Sequence, residues 1–314
     1  MENILLLGGF GFIGSNFLNH VDRHKQNNYN IIVFDKQPIH PFGLKFQCVS
    51  KVYSGDFGNR QDIDQIFEEN HIDRVFHFLN TTVPATSFDI RFDIESNLLP
   101  TIGLLETMQS HNVGNIVFIS SGGAIYGNTL GLNHIENEDT FPLSSYGIVK
   151  LAIEKYIHMF SQRNNMSYLI LRPSNPYGPF HYSTKQGIIN VAIRKAIQQE
   201  ALTVWGDGTN KKDYIFVEDF IEVLMKLIDK GVVNEIFNIG SGYSHSINEI
   251  LEKVKSIEPS FNWEYVDNKE FDNMTFELST KKLKSYINDY AFISLDVGIK
   301  KTFEWFKINH GQYL

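Results

Sequence analysis

The sequence predicts an α/β protein in which a doubly wound parallel sheet is followed by a smaller, mostly helical C-terminal lobe. Three observations predict this fold class. Short apolar runs alternate with amphipathic segments in the first half of the chain, which is typical of parallel strands joined by covering helices. A glycine-rich turn follows the first apolar run. Beyond about Asn175, loops that carry proline and glycine separate mainly helical segments.

The chain begins with the pattern of a strand, a glycine turn and a helix. The apolar run at residues 4–7 predicts a buried strand. Gly8, Gly11 and Gly14 follow it, and apolar residues at helical spacing come next. Glycines in this context let a phosphate approach the N-terminus of a helix. Because a simple tight turn also uses glycine, the pattern carries weight only together with the rest of the chain.

The next elements continue the alternation. Apolar runs predict further strands at residues 31–34, 74–78, 116–119 and 168–171. Amphipathic stretches predict helices at 62–70 and 98–112 within this part, and at 187–199 and 220–231 beyond it.

The order of these elements predicts two lobes. Ser246, with Glu249 three residues later, predicts a capped helix start in the last part of the chain. We expect a dinucleotide-binding domain at residues 1–175, to which segments around 213–245 return, and a lobe that mainly binds substrate at 176–314. The cleft between two such lobes is the expected ligand site.

Composition excludes several classes of protein. The 28 basic and 36 acidic residues give a net charge of −8 without a long basic cluster, so we expect no nucleic-acid partner. The single cysteine, Cys48, excludes an internal disulfide and is read as a small buried hydrophobe. No stretch approaches the ~20 apolar residues of a membrane helix, and Glu2 stands where a signal peptide carries positive charge. A cytoplasmic protein without a membrane partner is expected.

Asp35 ends the second predicted strand, 21 residues after Gly14. A carboxylate at this place can accept hydrogen bonds from both ribose hydroxyls of adenosine, and it repels a 2′-phosphate. Together with the glycine turn, it predicts a site for NAD rather than NADP.

Tyr146 and Lys150 form the second chemical pattern. Pro142 and Ser144 predict a helix start just before them, and residues four apart lie on one helix face. A phenol has a pKa near ~10, whereas an ammonium ~4 Å away at an effective dielectric of ~20 contributes about 4 kcal/mol, or roughly three pKa units. A positively charged nicotinamide acts in the same direction. The spacing therefore predicts Tyr146 as a base, although Tyr-x-x-x-Lys also occurs by chance on amphipathic helices.

These patterns resemble one known family over almost the whole chain. The chain resembles the extended short-chain dehydrogenase/reductases, the NAD-dependent epimerase/dehydratase group with a Rossmann domain that acts on nucleotide sugars. The matching segments, in family order, are GGFGFIGSN, SGDF, RVFHF, NLLPTIGLLE, VFISSGGAIYG, SYGIVK, LRPSNPYGP, WGDGTNKKDYIFVEDF and FNIGSGYSHSINEI.

The resemblance implies NAD as cofactor, a nucleotide sugar as substrate, a homodimer, and a site made of particular residues. It implies that Tyr146, Lys150 and Ser121 are catalytic. The residues implied for the cofactor are Gly8, Gly11, Phe12, Ile13, Gly14, Asp35, Lys36, Asp56, Phe57, Phe78, Leu79, Asn97, Tyr146, Lys150 and Pro173. The residues implied for the substrate are Ser121, Gly122, Gly123, Tyr146, Asn175 and Lys212.

Three departures from the family pattern refine the prediction. The family places Ser or Thr four residues before the tyrosine of its YG pair, where this chain has Gly122, so either Ser121 or a water takes that hydrogen-bonding role. Dehydratases carry an Asp-Glu pair directly after this position. Gly123 and Ala124 stand there instead and cannot titrate, which disfavours dehydration. Lys212 replaces an arginine and lacks its bidentate fork.

The resemblance implies a 4-epimerase that acts on a UDP-hexose or UDP-N-acetylhexosamine through a transient 4-keto sugar. An NAD(P)H-dependent 4-ketoreductase of a nucleotide-linked 6-deoxy-4-keto hexose is the alternative, and Asp35 argues against NADPH there. A non-catalytic sugar-nucleotide or redox-sensing module is a third reading, against which the intact Tyr146 and Lys150 argue. His20 and His24 lie one turn apart without an evident third ligand, so no metal site is predicted.

Overall fold

A computed structural model describes residues 1–24, 28–127, 133–183, 186–267 and 275–309 of the chain. Its strands and helices, in chain order, are β1 (Glu2–Leu7), α1 (Phe12–His24), β2 (Tyr29–Asp35), β3 (Val49–Ser54), α2 (Arg60–Glu69), β4 (Arg74–His77), α3 (Ile90–Asp93), α4 (Leu99–Ser110), β5 (Asn115–Ile119), α5 (Gly122–Ile125), α6 (Ser145–Asn164), β6 (Ser167–Pro173), β7 (Asn175–Tyr177), α7 (Ile188–Gln198), β8 (Leu202–Trp205), β9 (Lys211–Phe216), α8 (Val217–Asp229), β10 (Glu235–Ile239), β11 (Ser244–Ser246), α9 (Ile247–Ile257), β12 (Trp263–Val266), β13 (Thr275–Phe276), α10 (Lys281–Tyr286) and α11 (Leu295–Asn309). A π-helical turn (Ile94–Leu98) joins α3 to α4.

The main sheet has seven strands in the order β10-β6-β5-β4-β1-β2-β3, and neighbouring strands from β6 to β3 run parallel. The predicted doubly wound sheet and its five predicted strands are therefore confirmed. Strand β1 lies between β2 and β4, so the chain changes direction across the sheet at β1. In such sheets, ligands bind beyond the carboxyl ends of the strands at this switch point.

Helices cover both faces of the sheet because successive strand residues point to opposite sides. On one face, Phe76 of β4 packs against Phe17 of α1 with ring centroids 5.0 Å apart. On the other face, Val75 joins a buried cluster with residues of α2, α4 and α6. Burial on both faces explains the near-continuous apolar runs of these strands.

The chain divides into two compact units by contact. The first comprises Met1–Gly127, Asp139–Arg172 and Leu227–Phe237, and contains most of the main sheet. The second comprises Asn128–Glu138, Pro173–Lys226 and Asn238–Leu314. The domain roles that we assign to residues 1–175 and 176–314 stay predictions.

The second unit has its own core, in which α7, α9 and α11 contribute buried apolar side chains such as Ile193, Leu251 and Phe303. Helix α9 begins as predicted, because the Ser246 hydroxyl accepts the Glu249 N–H and the Glu249 carboxylate accepts the Ser246 N–H. Within the described ranges, no helix combines the length and the apolar content that a membrane crossing requires.

Candidate active site

The glycine turn between β1 and α1 uses its three glycines differently. Gly8 has φ +77°, and a Cβ there would lie 2.8 Å from the Leu79 backbone. A Cβ on Gly14 would lie 2.3 Å from the Gly8 carbonyl oxygen. A Cβ on Gly11 would lie 3.4 Å from the same oxygen, and no other atom beyond its chain neighbours would lie within 4 Å of it. The protein's own packing thus requires Gly8 and Gly14, whereas Gly11 leaves the first turn of α1 open to a ligand phosphate.

Asp35 ends β2 and is tied to this turn. Its Oδ2 accepts the Phe10 N–H at 3.0 Å, and its Oδ1 accepts the Gln37 N–H at 3.4 Å. Burial raises the pKa of the Asp35 carboxyl, and these N–H donors oppose that shift. The neighbouring Lys36 is exposed, while Phe12 and Ile13 of α1 are half-buried. A carboxylate beside an open helix N-terminus is an arrangement that fits the adenosine half of NAD.

The other residues implied for the cofactor follow the ends of strands in the main sheet. Asp56, after β3, is exposed, and its Oδ1 accepts the Gly58 N–H at 2.8 Å. Phe57 is buried against His77 with ring centroids 5.3 Å apart. Phe78 follows β4 and donates its N–H to the Leu7 carbonyl oxygen at 3.1 Å. These residues lie beyond the carboxyl ends of β3 and β4, the edge of the sheet at which ligands of such folds bind.

Asn97 lies in the π-helical turn and is buried. Its Oδ1 accepts the Thr81 N–H at 2.8 Å, and its Nδ2 donates to the Thr81 hydroxyl at 2.7 Å. The Asn97 side chain thus holds the loop after β4. Pro173 is buried at the end of β6. Cofactor contacts of both residues stay predictions.

Tyr146 and Lys150 lie on α6 as predicted, and the Ser144 hydroxyl caps this helix by accepting the Gly147 N–H at 3.1 Å. Gly147 allows α6 to approach α5, because a Cβ there would lie 2.3 Å from the Ala124 carbonyl oxygen. Ser121 directly precedes α5, and its side chain is close enough to the Tyr146 hydroxyl to oppose the rise in the pKa of that phenol. The role that we assign to Ser121 in place of Gly122 stays a prediction.

The two adjacent serines have separate partners. The Ser120 hydroxyl donates to Glu154 Oε1 at 2.5 Å in the core, and Arg172 donates to the same carboxylate at 3.0 and 2.6 Å. Arg172 also donates to the Tyr126 hydroxyl at 2.9 Å. Sequence reasoning missed this buried network, although Glu154 follows Lys150 by one helical turn.

The electrostatics of the pair differ from the prediction. Burial of the Tyr146 hydroxyl raises its pKa to about 12, and the hydrogen bond with Ser121 opposes this only in part. Burial also lowers the pKa of Lys150 to about 7, against the attraction of Glu154. The Lys150 Nζ donates to the Ile119 carbonyl oxygen at 2.8 Å and lies 5.9 Å from the Tyr146 ring centroid. Burial is the largest influence on the Tyr146 pKa and raises it, so the lowered phenol pKa predicted from Lys150 is not found among the protein's own groups.

The residues implied for the substrate lie in both units. Gly122 is buried and Gly123 exposed in α5 of the first unit. In the second unit, Asn175 on β7 donates to the Asp213 carbonyl oxygen of β9 at 2.8 Å, and Lys212 on β9 is exposed. Strands β7 and β9 are paired, which brings Asn175 and Lys212 onto neighbouring strands of one small sheet. Their roles stay predictions.

Across the described ranges, no three His, Cys, Asp or Glu side chains are grouped as a metal site would require. The first unit contains the Tyr146 hydroxyl, which can exchange a proton, with Ser121 and Lys150 near it. It also contains a glycine turn suited to a dinucleotide. Such a set can take a proton from an alcohol while hydride leaves the alcohol carbon.

Comparison with known proteins agrees with this chemistry. The sequence model of the NAD dependent epimerase/dehydratase family matches residues 4–240. A protein of Methanocaldococcus jannaschii, named provisionally as a UDP-glucose 4-epimerase, is 32% identical over 324 residues, covering 98% of this chain and 99% of that protein. The dTDP-D-glucose 4,6-dehydratase of Dictyostelium discoideum is 26% identical over 368 residues, covering 100% and 83%. The crystal structure of Thermotoga maritima UDP-glucose 4-epimerase with UDP-glucose has a TM-score of 0.90 at 28% identity, covering 98% of this chain and 100% of that chain.

Proposed function

Because this chain belongs to the NAD dependent epimerase/dehydratase family of nucleotide-sugar enzymes, with NAD as cofactor, we propose that it is a nucleotide-sugar 4-epimerase. The proposed substrate is a UDP-hexose or UDP-N-acetylhexosamine, which reacts through a transient 4-keto sugar. The observation that carries the proposal is the position of Tyr146 on α6, with Lys150 Nζ 5.9 Å from its ring centroid and with Ser121 close enough to its hydroxyl to oppose the rise in its pKa.

In the proposed mechanism, the Tyr146 phenol first loses its own proton to solvent, which the positive charges of Lys150 and of bound NAD would favour. The resulting phenolate accepts the proton of the sugar 4-hydroxyl while the C4–H bond breaks. NAD, when bound, supplies the hydride acceptor and the positive charge of its nicotinamide ring. Ser121 holds the reacting oxygen, and Lys150 adds positive charge beside the phenol. After the 4-keto sugar has turned in its pocket, Tyr146 returns the proton to the carbonyl oxygen as C4 regains its hydrogen on the opposite face.

The cofactor-side residues have matching roles in the proposal. Gly11 and the first turn of α1 receive the pyrophosphate, because the turn is open there and a helix N-terminus favours anions. Asp35 accepts hydrogen bonds from the adenosine ribose. In the second unit, we assign the substrate diphosphate to Asn175 and Lys212.

The dehydratases among the relatives raise a second reaction, which the short helix α5 disfavours. Gly123 and Ala124 lie within this helix and have no side chain that can act as acid or base. Dehydration needs proton transfer at two sugar carbons besides the oxidation at C4, so the chain lacks groups for it at this position.

Incubation with UDP-, dTDP-, GDP- and CDP-sugars, followed by NMR of the products, tests the proposal. We expect 4-epimers of one or more UDP-sugars without added dinucleotide. Stoichiometric consumption of added NADH or NADPH with a 4-keto sugar, and no epimer, would establish the reductase instead.

Tyr146→Phe tests the assigned base. We expect turnover to fall by about 10²–10⁴-fold, the usual contribution of a positioned acid or base. NAD affinity, measured by calorimetry, should stay unchanged because the glycine turn is untouched. Turnover equal to that of the unmodified protein would remove Tyr146 from the mechanism.

We also propose that two copies of the chain pair through α4 and α6. Leu99 of α4 and Ile148 of α6 are each 54% exposed, and the two helices contact each other, so both apolar side chains are available to a second copy.

A further inference from the structure

A buried carboxylate lies close to the proposed base and has no part in the mechanism above. Asp93, the last residue of α3, is 0% exposed. Its Oδ2 accepts a short hydrogen bond from the Ser87 hydroxyl. Its Oδ1 has no hydrogen-bond partner among the described residues.

The Ser87 hydroxyl links this carboxylate to the backbone of Tyr146. Ser87 Oγ accepts the Tyr146 N–H at 2.9 Å, across 59 positions of sequence. A hydroxyl has one proton, and here that proton is directed to Asp93, so a lone pair faces the Tyr146 N–H. Asp93, Ser87 and the Tyr146 backbone therefore form one line of hydrogen bonds.

The bond serves a group that the helix itself leaves unsatisfied. Tyr146 lies in the first turn of α6, where backbone N–H groups have no partner within the helix. Ser144 satisfies the Gly147 N–H, and Ser87 satisfies the Tyr146 N–H from another element. The first turn of α6 contains no acidic residue of its own. Asp93 supplies a carboxyl group at this helix N-terminus, where negative charge is favoured.

The unpartnered oxygen argues that this arrangement does not exist for stability alone. A buried acceptor without a donor costs free energy, so native proteins keep few of them. A fold that needed only a helix cap could use a serine without a buried carboxylate behind it. The carboxylate does fix the direction of the Ser87 proton, and with it the position of the Tyr146 backbone.

We propose that Asp93 and Ser87 are a pair of positioning residues that hold Tyr146 so that its phenol faces Ser121 and the reacting hydroxyl. This inference rests on the proposed role of Tyr146 as the base. The side chains of the pair hydrogen-bond to each other and to the Tyr146 backbone, and neither has a hydrogen bond to the glycine turn or to Asp35. The Asp93 backbone carbonyl, which accepts Asn97 Nδ2 at 3.3 Å, is unchanged in Asp93→Asn. Loss of the pair should therefore change proton transfer and leave dinucleotide binding intact.

Four variants and a control test the pair. Ser87→Ala removes the acceptor of the Tyr146 N–H, Ser87→Thr retains a hydroxyl, and Asp93→Asn retains the shape of the carboxyl but not its charge. The fourth variant combines Ser87→Ala with Asp93→Asn. Thr86→Val is the matched control, because it removes a neighbouring hydroxyl that bonds within its own turn to Val83.

The kinetic expectation separates positioning from folding. We expect Ser87→Ala and Asp93→Asn to lower kcat by about 10- to 100-fold, the range that a small misplacement of a reacting group can cause. The KM of the sugar nucleotide and the Kd of NAD should change little. The Tm of Ser87→Ala should fall by only a few degrees for the partners it leaves unsatisfied, so that the protein stays folded at the assay temperature. Ser87→Thr should recover most of kcat, and Thr86→Val should match the unmodified protein. The double variant should have the kcat of Ser87→Ala, because both substitutions interrupt the same line of hydrogen bonds from Asp93 through Ser87 to the Tyr146 backbone.

A spectroscopic readout makes the test independent of turnover. In protein labelled with 13Cζ-tyrosine, the Tyr146 signal is identified by its absence in Tyr146→Phe. We expect Ser87→Ala and Asp93→Asn to shift this signal, and Ser87→Thr and Thr86→Val to leave it in place. An unmoved signal in Ser87→Ala, additive losses of kcat, or a fall in Tm that accounts for the lost activity would each overturn the positioning role. If Tyr146→Phe keeps full turnover, the proposed function fails, while the signal still decides whether the pair holds Tyr146.

Discussion

Lys150 is the residue whose behaviour in the fold departs most from its behaviour in water. Its side chain is 3% exposed, and burial lowers its pKa from 10.5 to about 7. Near neutral pH the side chain is therefore divided between its charged and neutral forms. A charge that is present only part of the time gives the Tyr146 phenol limited help, so the nicotinamide charge carries more of that task in the proposed mechanism.

The lowered pKa of Lys150 predicts a pH dependence of stability. Between pH 7 and 10.5 the unfolded chain binds a proton at this lysine and the folded protein does not, so stability rises with pH over that window. Relative to Lys150→Met, the unmodified protein should gain at most about 1.4 kcal/mol of unfolding free energy per pH unit there. Urea unfolding of both proteins at pH 7, 8 and 9 measures the difference. A difference that stays constant across these pH values would contradict the lowered pKa.

At the residue scale, chemistry could be read from the sequence but burial could not. The spacing of Tyr146 and Lys150 and the carboxylate of Asp35 are local patterns, and in the structure the first two lie on α6 and the third ends β2. The raised pKa of Tyr146 depends on how deeply its hydroxyl is enclosed, which no local pattern reports. The contact between Ser87 and Tyr146 joins distant parts of the chain, so nothing in either segment indicates it.

At the scale of elements, the segment after β2 supports the glycine turn through His40. This residue is 2% exposed, and its Nδ1 accepts the Phe42 N–H at 3.2 Å. Its Nε2 lies 3.0 Å from the Ser15 hydroxyl, which donates to the Gly11 carbonyl oxygen at 2.7 Å. Burial lowers the pKa of His40 to about 4, so the ring is neutral near pH 7. The neutral His40 ring and the Ser15 hydroxyl therefore connect the segment after β2 to the glycine turn.

Substitution of His40 tests this support. Asparagine can replace the Nδ1 acceptor and so retain the hydrogen bond from the Phe42 N–H. Glutamine can replace the Nε2 donor and so retain the hydrogen bond to the Ser15 hydroxyl. We expect His40→Asn to weaken NAD binding about fivefold, which corresponds to the ~1 kcal/mol of a neutral hydrogen bond. His40→Gln should bind NAD nearly as the unmodified protein does. Calorimetric titration with NAD provides the measurement, and equal affinities for the two variants would count against the link through Ser15.

The glycine turn allows a second test at this scale. Gly14→Ala should destabilise the fold by about 1–3 kcal/mol, because its Cβ would overlap the Gly8 carbonyl oxygen at 2.3 Å. Gly11→Ala should unfold like the unmodified protein, because its nearest neighbour lies at 3.4 Å. Its methyl group occupies the space proposed for the pyrophosphate, so NAD affinity should fall. Thermal unfolding and NAD titration of both variants test whether Gly14 serves packing and Gly11 serves NAD binding. A Gly14→Ala variant as stable as the unmodified protein would refute this assignment.

Elements with strong periodicity could be predicted, and those without it could not. The five buried strands can be predicted because each is an apolar run in the sequence. Strand β3 lacks such a pattern, because its sequence VSKVYS mixes polar and apolar residues at the exposed edge of the sheet. The π-helical turn at Ile94–Leu98 also has no pattern of its own, since its hydrogen bonding departs from the surrounding helices by a single residue.

At the scale of the whole molecule, the proposed pairing of two chains can be tested through the exposed apolar side chains. Leu99→Lys and Ile148→Lys place charge on α4 and α6 without disturbing a buried residue, since both positions are 54% exposed. If these helices pair, light scattering after size exclusion should give a dimer for the unmodified protein and a monomer for the double variant. Ile308→Lys, on an 82% exposed residue of α11, is the control and should remain dimeric. A monomeric unmodified protein would end the proposal.

The order of the strands lies beyond what local patterns can supply. The alternation of strands and helices predicts a parallel sheet, and the first two strands with the glycine turn predict its switch point. Which strand lies beside which depends on long-range pairing, so the position of β10 next to β6 follows only from the structure. The motif order that matches the family carried more of this information than periodicity did.

Two identical side chains stand next to each other at the end of β5 and serve opposite sides of it. Ser120 completes the core network through Glu154, and Ser121 meets the Tyr146 hydroxyl. Only these two residues separate β5 from α5, so the loss of one amino acid there would leave a single serine for two positions and would shift the backbone that carries it. For protein engineers, both the length and the composition of this short connection are therefore constrained.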